Sequence, residues 1–178
     1  MLTHSLGMAA AHSQTDLDNA LELLHFAFRE ITLEPDQLLA RRGLGRVHHR
    51  VLFMCRRNPA LSIGELVQIL GVSKQALHRP VGDLCRLRLL AVTPDRTDRR
   101  TRRLALTASG LRLEERLTGM QRTAFAAAFA SVSKEGAAAW AQVMSKIGNG
   151  KSSAGLRAAL QELPAEPAAA PKKRRRSA

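Results

Sequence analysis

The chain has 178 residues and a net charge of +13, a length that suits one globular domain with tails. It lacks a long apolar run and the basic, apolar N-terminus of a signal peptide, and it has only two cysteines, so we expect a cytoplasmic protein with no membrane partner. Residues 1–40 hold one Arg and six acidic residues, whereas residues 41–103 hold fifteen Lys or Arg and four acidic residues, so the positive charge lies where a polyanion would bind.

The N-terminal part of the chain predicts one long helix that needs an apolar partner. Residues 1–13 have no apolar pattern and are predicted to be disordered. From residue 14 to residue 33, apolar residues recur at steps of four and three, which puts one apolar stripe on a helix of about five turns. Pro35, within Glu34-Pro35-Asp36, is expected to end this helix. The stripe consists of Leu17, Leu21, Leu24, Phe28 and Ile31.

A second helix is predicted from Arg46 to Arg57, because Gly45 precedes this segment and Asn58-Pro59 follows it. Helical spacing divides its residues between two faces. The residues expected to face the core are Val47, Val51, Met54 and Cys55, and those expected to face solvent are Arg46, Arg50 and Arg57.

The next two helices have the pattern of a helix-turn-helix. Ser62 and Glu65 have the spacing of a capping box, and the helix that they begin is expected to end at Gly71. Ser73 is then expected to cap a second, basic helix with Leu77, Val81 and Leu84 on its buried face. Two helices joined by a three-residue turn containing Gly are typical of the motif that inserts its second helix into DNA.

A change of period after this helix predicts two strands. Residues 91–93 and 101–106 alternate in polarity on either side of a charged tip, which indicates a hairpin, or wing. Leu61 is expected to add a one-residue strand beside it. The predicted fold is therefore mainly α: a winged helix-turn-helix over about residues 44–106, with a two- to three-stranded wing, between N- and C-terminal dimerisation helices.

The C-terminal part of the chain predicts two more helices, over about residues 108–130 and 134–147. The small winged helix cannot cover their apolar stripes and that of the helix over residues 14–33, so we expect a homodimer that brings two winged lobes to one DNA duplex. The stripes contain Leu113, Leu117, Met120, Ala124 and Ala128 on the longer helix, and Trp140, Met144 and Ile147 on the shorter one.

Residues 148–178 are predicted to be a linker and a disordered basic tail. The tail is expected to bind DNA without sequence preference, through release of counterions; the alternative is a solvated segment. Its basic run is Lys172, Lys173, Arg174, Arg175 and Arg176.

The whole pattern, over about residues 15–147, resembles the MarR (multiple antibiotic resistance regulator) family of bacterial transcription factors. The resemblance implies a dimer, a recognition helix in the major groove and a wing arginine in the minor groove, and often a small-molecule pocket between the dimer helices and the DNA-binding lobe. Its most specific residues are Asp98 and Arg100 at the wing tip, followed by Leu106, Thr107 and Gly110.

Two residues depart from the family pattern. Arg88 stands where the family usually has a Gly at the end of the recognition helix, so another feature must shape that end. Pro80 lies inside the recognition helix, where it removes one backbone hydrogen bond, and we expect it to bend the helix after Arg79 without breaking it.

Residue chemistry assigns the expected DNA contacts. Gln75 and Arg79 have the bidentate groups that read adenine and guanine, and extended wing-tip arginines suit a narrow minor groove. Asp98 is expected to brace one of these arginines through a bidentate ion pair. The complete expected set is Ser62, Ser73, Lys74, Gln75, His78, Arg79, Arg99, Arg100 and Arg102.

Other kinds of site are weaker in the sequence. His48 and His49 are adjacent and have no third ligand at a suitable spacing, so no metal is predicted. No enzymatic constellation and no cofactor motif are found either. An effector pocket, suggested by the resemblance, would be lined by Phe26, Leu38, His48, His49 and Phe53.

These features predict a dimeric, sequence-specific DNA-binding transcriptional regulator, a repressor by the resemblance. The alternative is an architectural, largely non-specific protein of the nucleoid that uses the same fold and the basic tail. The two differ in the ratio of specific to non-specific affinity and not in affinity itself.

Overall fold

The computed structural model describes residues 12–95 and 98–148, and within them it has six helices and one two-stranded antiparallel sheet. The predicted basic tail and nearly all of the N-terminal segment predicted to be disordered lie outside the described residues. The elements are α1 (Gln14–Ala40), α2 (Arg46–Arg57), α3 (Ile63–Leu70), α4 (Lys74–Arg86), β1 (Leu90–Pro94), β2 (Arg102–Leu106), α5 (Ala108–Ala130) and α6 (Lys134–Gly148).

Helix α1 is longer than predicted, because Pro35 does not end it. The helix continues to Ala40, and Pro35 lies buried inside it. A Pro in a helix interior costs about 3 kcal/mol. Burial of Leu38 and Leu39, which are 7% and 0% exposed, offsets that cost by about 1.5–3 kcal/mol for each side chain. Tertiary packing therefore overrides the local signal to stop at residue 33.

Helix α2 has the predicted bounds, but its buried face is rotated from the predicted one. Val51, Leu52 and Cys55 are buried, whereas Val47 is 42% exposed. The rotation follows from the packing of α2 between α4 and α5, which covers Leu52 as well as Val51 and Cys55. Burial also raises the pKa of the Cys55 thiol to about 12, so this cysteine is not reactive in the folded chain.

The helix-turn-helix forms as its sequence predicts. The Ser62 hydroxyl accepts from the Glu65 N–H at 3.1 Å, and the Glu65 carboxylate accepts from the Ser62 N–H at 2.7 Å. Gly71 supplies a left-handed residue with φ of 63° between α3 and α4. Pro80 lies inside α4 without breaking it, as expected, because Val81 and the leucines on the same face remain buried in the core.

The wing is a two-stranded hairpin with a one-residue third strand. Leu90 pairs with Leu106 and Pro94 with Arg102 at the two ends of the β1–β2 ladder. A bridge between Ser62 and Arg103, and a hydrogen bond of 2.8 Å from the Leu104 N–H to the Leu61 carbonyl, fasten the hairpin to the chain before α3. The expected one-residue strand therefore lies at Ser62, one residue later than predicted, with the Leu61 carbonyl as its first hydrogen-bond acceptor, and it fixes the wing beside the helix-turn-helix.

Arg88 ends the recognition helix in the left-handed conformation that Gly would adopt more easily, with φ of 54°. Three hydrogen bonds hold it there. The N–H groups of Arg88 and Leu89 donate to the Cys85 and Leu84 carbonyls, both at 2.9 Å, and the Thr107 hydroxyl donates to the Arg88 carbonyl at 2.6 Å. The first two bonds form a Schellman motif, and the third connects Arg88 to the residue that caps α5. Together they stabilise the left-handed conformation for which the family usually has a Gly.

The apolar residues of α5 divide between two faces. Leu113 and Leu117, which the sequence places on the dimerisation stripe, are 6% and 0% exposed and belong to the core of the winged lobe. Beyond residue 120, the apolar residues of α5 instead line a groove with α1 and α6. No residue of α6 is buried, so the terminal helices leave an apolar surface uncovered.

Candidate nucleic-acid interface

One side of α4 is free of intramolecular packing and carries polar and basic side chains. Lys74, Gln75, His78 and Arg79 are all exposed, and the Arg79 side chain is 92% accessible to solvent. Ser73 caps the helix, since its hydroxyl accepts from the Ala76 N–H at 3.1 Å. The exposed side of α4 therefore presents the donors and acceptors that base edges and phosphates require.

A cleft of about 280 Å³ separates the first turns of α3 and α4 from the wing. Lys74, Arg100 and Arg102 border it from α4, the wing tip and β2. Ser62 lies at its edge with its hydroxyl committed to the helix cap. Three cations beside two helix N-termini favour an anion, so this cleft suits a backbone phosphate of DNA. The structure thus brings predicted residues from three separate segments to one place.

The wing tip is held by Asp98, but not through the predicted arginine pair. The Asp98 carboxylate accepts from the Arg100 N–H at 3.0 Å and from the Thr101 hydroxyl at 2.8 Å. Both oxygens are therefore used by the turn itself, as is usual for an Asp that stabilises a turn. None of the described acidic residues pairs with the exposed side chains of Arg99 or Arg100. Asp98 consequently fixes the backbone from which these two arginines project.

Among the described arginines of the wing, Arg103 is the one that forms ion pairs. Its guanidinium contacts Asp95 at 2.7 Å and Glu65 at 3.2 Å, and it donates to the Ala60 carbonyl at 3.2 Å. The hydrogen bond to Asp95 raises the pKa of Arg103 further above its already high value. Arg103 thus joins the wing to the start of α3, whereas its neighbour Arg102 remains exposed.

Asp83 on α4 is a residue that the sequence analysis missed. Its carboxylate lies 2.9 Å from Arg86 Nη2, 3.5 Å from His48 Nε2 and 3.8 Å from Arg79 Nε. The hydrogen bond from Arg86 lowers the pKa of Asp83, so the carboxylate stays ionised. The i, i+4 spacing of Arg79 and Asp83 was visible in the sequence, but the approach of His48 from α2 required the fold.

The five residues predicted to line an effector pocket do not come together. Only His49 and Phe53 border a common cavity, whose volume is about 140 Å³. Phe28 takes the place of Phe26 there, because residues two apart on a helix project about 200° from each other. Leu38 lies in the core and His48 points to Asp83. This cavity is smaller than the roughly 300 Å³ at which small-molecule pockets begin.

His49 belongs to a polar chain between α2 and α5. Its Nε2 lies 3.4 Å from the Thr118 hydroxyl, which donates to the Glu114 carboxylate at 2.6 Å. Glu114 is 1% exposed, and its carboxylate lies 3.4 Å from Arg56 Nε, which gives the buried group an ion-pair partner. Burial lowers the pKa of His49. Over the described residues, no group of three or more potential ligands could hold a metal ion.

An apolar groove of about 420 Å³ lies between α1, α5 and α6, away from the cleft. Trp140 lines it, and its ring centroid lies 5.4 Å from those of Phe125 and Phe129, in tilted and edge-on geometry. Other leucines of α1, Leu17, Leu21 and Leu23, are also exposed. None of the described helices has the length and apolar character that crossing a membrane requires. The lining of the groove includes Leu24, Phe28, Ile31, Ala124, Ala128 and Met144.

Comparisons with known proteins agree with this geometry. A model of the MarR family matches residues 42–101. The HTH-type transcriptional regulator PetP of Rhodobacter capsulatus is 35% identical over 128 residues, which are 72% of this chain and 77% of that protein. A solved MarR protein from Peptoclostridium difficile has 17% identity and a TM-score of 0.65, over 89% of this chain and 97% of its own.

A solved structure with nucleic acid is also similar. A mutant of S. aureus MepR, bound to an oligodeoxyribonucleotide, has 18% identity and a TM-score of 0.51, over 72% of this chain and 94% of its own. At these low identities, the solved structures support the fold alone. The predicted mainly α, winged helix-turn-helix fold is confirmed.

Proposed function

Because the chain belongs to the MarR family of DNA-binding transcriptional regulators, we propose that it acts as a homodimeric, sequence-specific repressor. The observation that carries this proposal is the arrangement of cations around one cleft. Lys74, Arg100 and Arg102 border the cleft, and the exposed side of α4 lies next to it. A duplex in this position receives α4 in its major groove and the wing tip in the adjacent minor groove.

The exposed side chains divide into those that contact bases and those that bind the DNA backbone. Arg79 and Gln75 make bidentate contacts with guanine and adenine, while His78 adds a single contact. Lys74 and Arg102 bind phosphates, and the capping hydroxyls of Ser62 and Ser73 lie near the same phosphates at the helix N-termini. Arg99 and Arg100 extend into the minor groove, where their guanidinium groups meet concentrated negative potential. The basic tail, outside the described residues, adds affinity for any DNA.

The homodimer is supported by the apolar groove. Leu21 and Ile147 are 67% and 62% exposed, and Trp140 is 44% exposed. A monomer would leave the groove and these side chains in water, and monomeric proteins rarely expose so much apolar surface. A second copy offers the same apolar helices and so covers the surface by two-fold symmetry. Two winged lobes then contact two half-sites of one operator.

An effector has less support from the geometry. The cavity beside His49 and Phe53 holds only a ligand of a few atoms in this conformation. A larger effector would require α1 and α2 to separate, with loss of the ion pair of 2.6 Å between Asp36 and Arg46.

Selection of binding sites from random duplexes separates the proposed regulator from an architectural protein. A dimeric regulator should enrich a pseudo-palindrome whose half-sites are about one helical turn apart. Recovery of random sequence would instead favour the nucleoid protein. Transcription in vitro from a promoter that carries the selected site should then fall when the protein is added. An increase would show activation and contradict the repressor role.

The wing and the tail should contribute to binding in different ways. Arg100→Ala should weaken operator binding by about 1–3 kcal/mol, because a fixed wing-tip guanidinium loses its groove contact. Deletion of residues 172–178 should weaken operator and random DNA by similar factors and flatten the salt dependence. Both variants are titrated with both DNAs at several salt concentrations. Arg122→Ala, which removes one exposed charge from α5 outside the cleft, is the matched control.

The contrary outcome is a tail deletion that changes the ratio of operator to random affinity together with an Arg100→Ala variant that leaves this ratio unchanged. The tail would then contribute to sequence specificity, and the wing would bind DNA without sequence preference.

A further inference from the structure

His48 occupies a position in α2 from which it contacts two other parts of the lobe. Its Nδ1 accepts a hydrogen bond of 3.0 Å from the Gly45 N–H, in the geometry of a capping box. A nitrogen that accepts cannot also bear a proton, so the neutral ring carries its proton on Nε2. That Nε2 is buried, lies 3.5 Å from Asp83 Oδ2 and has no closer partner. The donor that α2 directs at the recognition helix is therefore this ring N–H.

The His48 ring N–H faces the same Asp83 oxygen that approaches Arg79, the arginine proposed to contact a base. Its Oδ2 lies 3.8 Å from Arg79 Nε, and its Oδ1 accepts from Arg86 Nη2 at 2.9 Å. The Asp83 side chain is 22% exposed, whereas that of Arg79 is 92% exposed. The carboxylate is thus a largely enclosed acceptor beneath a nearly free arginine.

We propose that His48 and Asp83 position Arg79 for base recognition, so that both are specificity-determining residues that need not touch DNA. This inference rests on the proposed function, in which Arg79 reads a base. A guanidinium whose Nε faces Asp83 keeps its two terminal nitrogens free, and these are the donors that match O6 and N7 of guanine. His48 fixes the carboxylate from the side of the core, because α2 is packed against both α4 and α5.

The physical benefit is preorganisation. A free arginine samples many rotamers, and binding must select one of them at an entropic cost. An acceptor beneath Nε removes part of that freedom before DNA arrives. Arg79 is restricted in this way before it meets any base, but only the correct base forms two hydrogen bonds with it in that one geometry. Positioning by Asp83 therefore increases discrimination at one base pair more than it increases general affinity.

The test is a double-mutant cycle read by base-pair discrimination. Asp83→Asn removes the charge that attracts Arg79. His48→Gln retains an acceptor for the Gly45 N–H, since Gln suits this position of a capping box, but lacks the ring N–H that faces Asp83. Each variant is measured alone and with Arg79→Ala on the selected operator, on the same operator with each base pair changed in turn, and on random DNA.

Arg79→Ala should reduce discrimination at one base pair of each half-site by about 10- to 100-fold. Asp83→Asn and His48→Gln should each reduce discrimination at that same pair by about 3- to 10-fold, with other pairs unchanged within about 2-fold. In the Arg79→Ala background, neither should have a further effect, because the residue through which they act is absent. His49→Gln is the matched control, one residue along α2 but facing Thr118 on α5.

Equal losses at every base pair, or losses that persist in the Arg79→Ala background, would overturn the positioning role and indicate a structural one. Thermal melting of each variant accompanies the titrations. If His48→Gln does not fold stably, Asp83→Asn, which changes a more exposed side chain, still completes a double-mutant cycle with Arg79→Ala. A wild-type protein without any preferred site would refute the proposed function together with this inference, whereas a specific wild type with additive effects would refute the inference alone.

Discussion

Gly110→Ala should lower the free energy of unfolding by at least about 3 kcal/mol, the range of severe overpacking in a site that cannot relax. A Cβ at Gly110 would lie 1.9 Å from the Leu89 carbonyl oxygen and 2.9 Å from its carbon. Both obstacles are backbone atoms, so no side-chain rotation relieves the clash. Helix α5 would have to move away from the end of the recognition helix.

That movement would break several contacts at once. The Leu89 carbonyl also accepts from the Thr107 N–H at 3.1 Å, and the Thr107 hydroxyl accepts from the Gly110 N–H at 3.0 Å. Leu113 and Leu117, one and two turns further along α5, would leave the core with it. Thr107 and Gly110 belong to the motif that resembles the family pattern, and their spacing has a structural cause. Thr107 caps α5, and Gly110 allows the first turn of α5 to lie against the Leu89 carbonyl.

Urea denaturation followed by circular dichroism measures the effect. Gly82→Ala is the matched control, because Gly82 is also a helical glycine but a Cβ there meets nothing within 4 Å. This control should gain about 1 kcal/mol from the better helix propensity of Ala. A Gly110→Ala protein as stable as the wild type would mean that α5 and the end of α4 are not in contact as described.

The helix-turn-helix and the wing were predictable because their signals are local. A capping box at Ser62 and Glu65, a left-handed Gly71 and a change of period after residue 90 each depend on residues close in sequence. The end of α1 was predicted incorrectly for the opposite reason. Pro35 is a strong local signal, and only the burial of Leu38 and Leu39, which depends on distant elements, outweighs it.

Among the predicted site residues, too, some features could be predicted from the sequence and others could not. Exposure of Gln75, His78 and Arg79 followed from helical periodicity. The partner of Asp98 did not, because a carboxylate in a tight turn can bind either a neighbouring guanidinium or the turn's own N–H groups, and the sequence does not distinguish them. The approach of His48 to Asp83 depends on how two helices pack, because the two residues are 35 positions apart in the chain.

The lining of the effector pocket was predicted incorrectly, because its residues were chosen from the family resemblance and from hydrophobicity alone. Phe26 and Phe28 are equally apolar, yet only Phe28 faces α2, where Arg46 lies over its ring at 5.2 Å. The Phe26 ring instead lies on the exposed side, below Arg29 at 5.1 Å. Helical phase decides between the two phenylalanines, and that phase is known only when the buried face of α1 is known.

Leu21→Asp combined with Leu24→Asp should convert the protein to a monomer and reduce its affinity for the operator by about 100-fold or more. Both leucines are exposed in the single chain, at 67% and 41%, so the lobe should fold without them. In a homodimer, two carboxylates on each α1 would be buried in an apolar interface without partners, which is prohibitive. Without the dimer, each lobe binds one half-site and the gain from linked binding disappears.

The positions of the substitutions decide what the experiment measures. Asp at Leu117 would serve poorly, because Leu117 is fully buried within the lobe and its replacement would unfold the monomer as well. Trp140 is also unsuitable, since it packs on Phe125 and Phe129 of its own chain. Leu111→Asp is the matched control: Leu111 is 40% exposed on α5 but does not line the groove.

Light scattering should report a mass near the 19.4 kDa of one chain for the double variant, and twice that value for the wild type and for Leu111→Asp. Binding to random DNA should fall much less than operator binding, because backbone contacts within one lobe survive. A double variant that remains a dimer would exclude α1 from the interface. A monomeric variant with unchanged operator affinity would show that a single lobe suffices for recognition, and the two-fold arrangement on DNA would have to be abandoned.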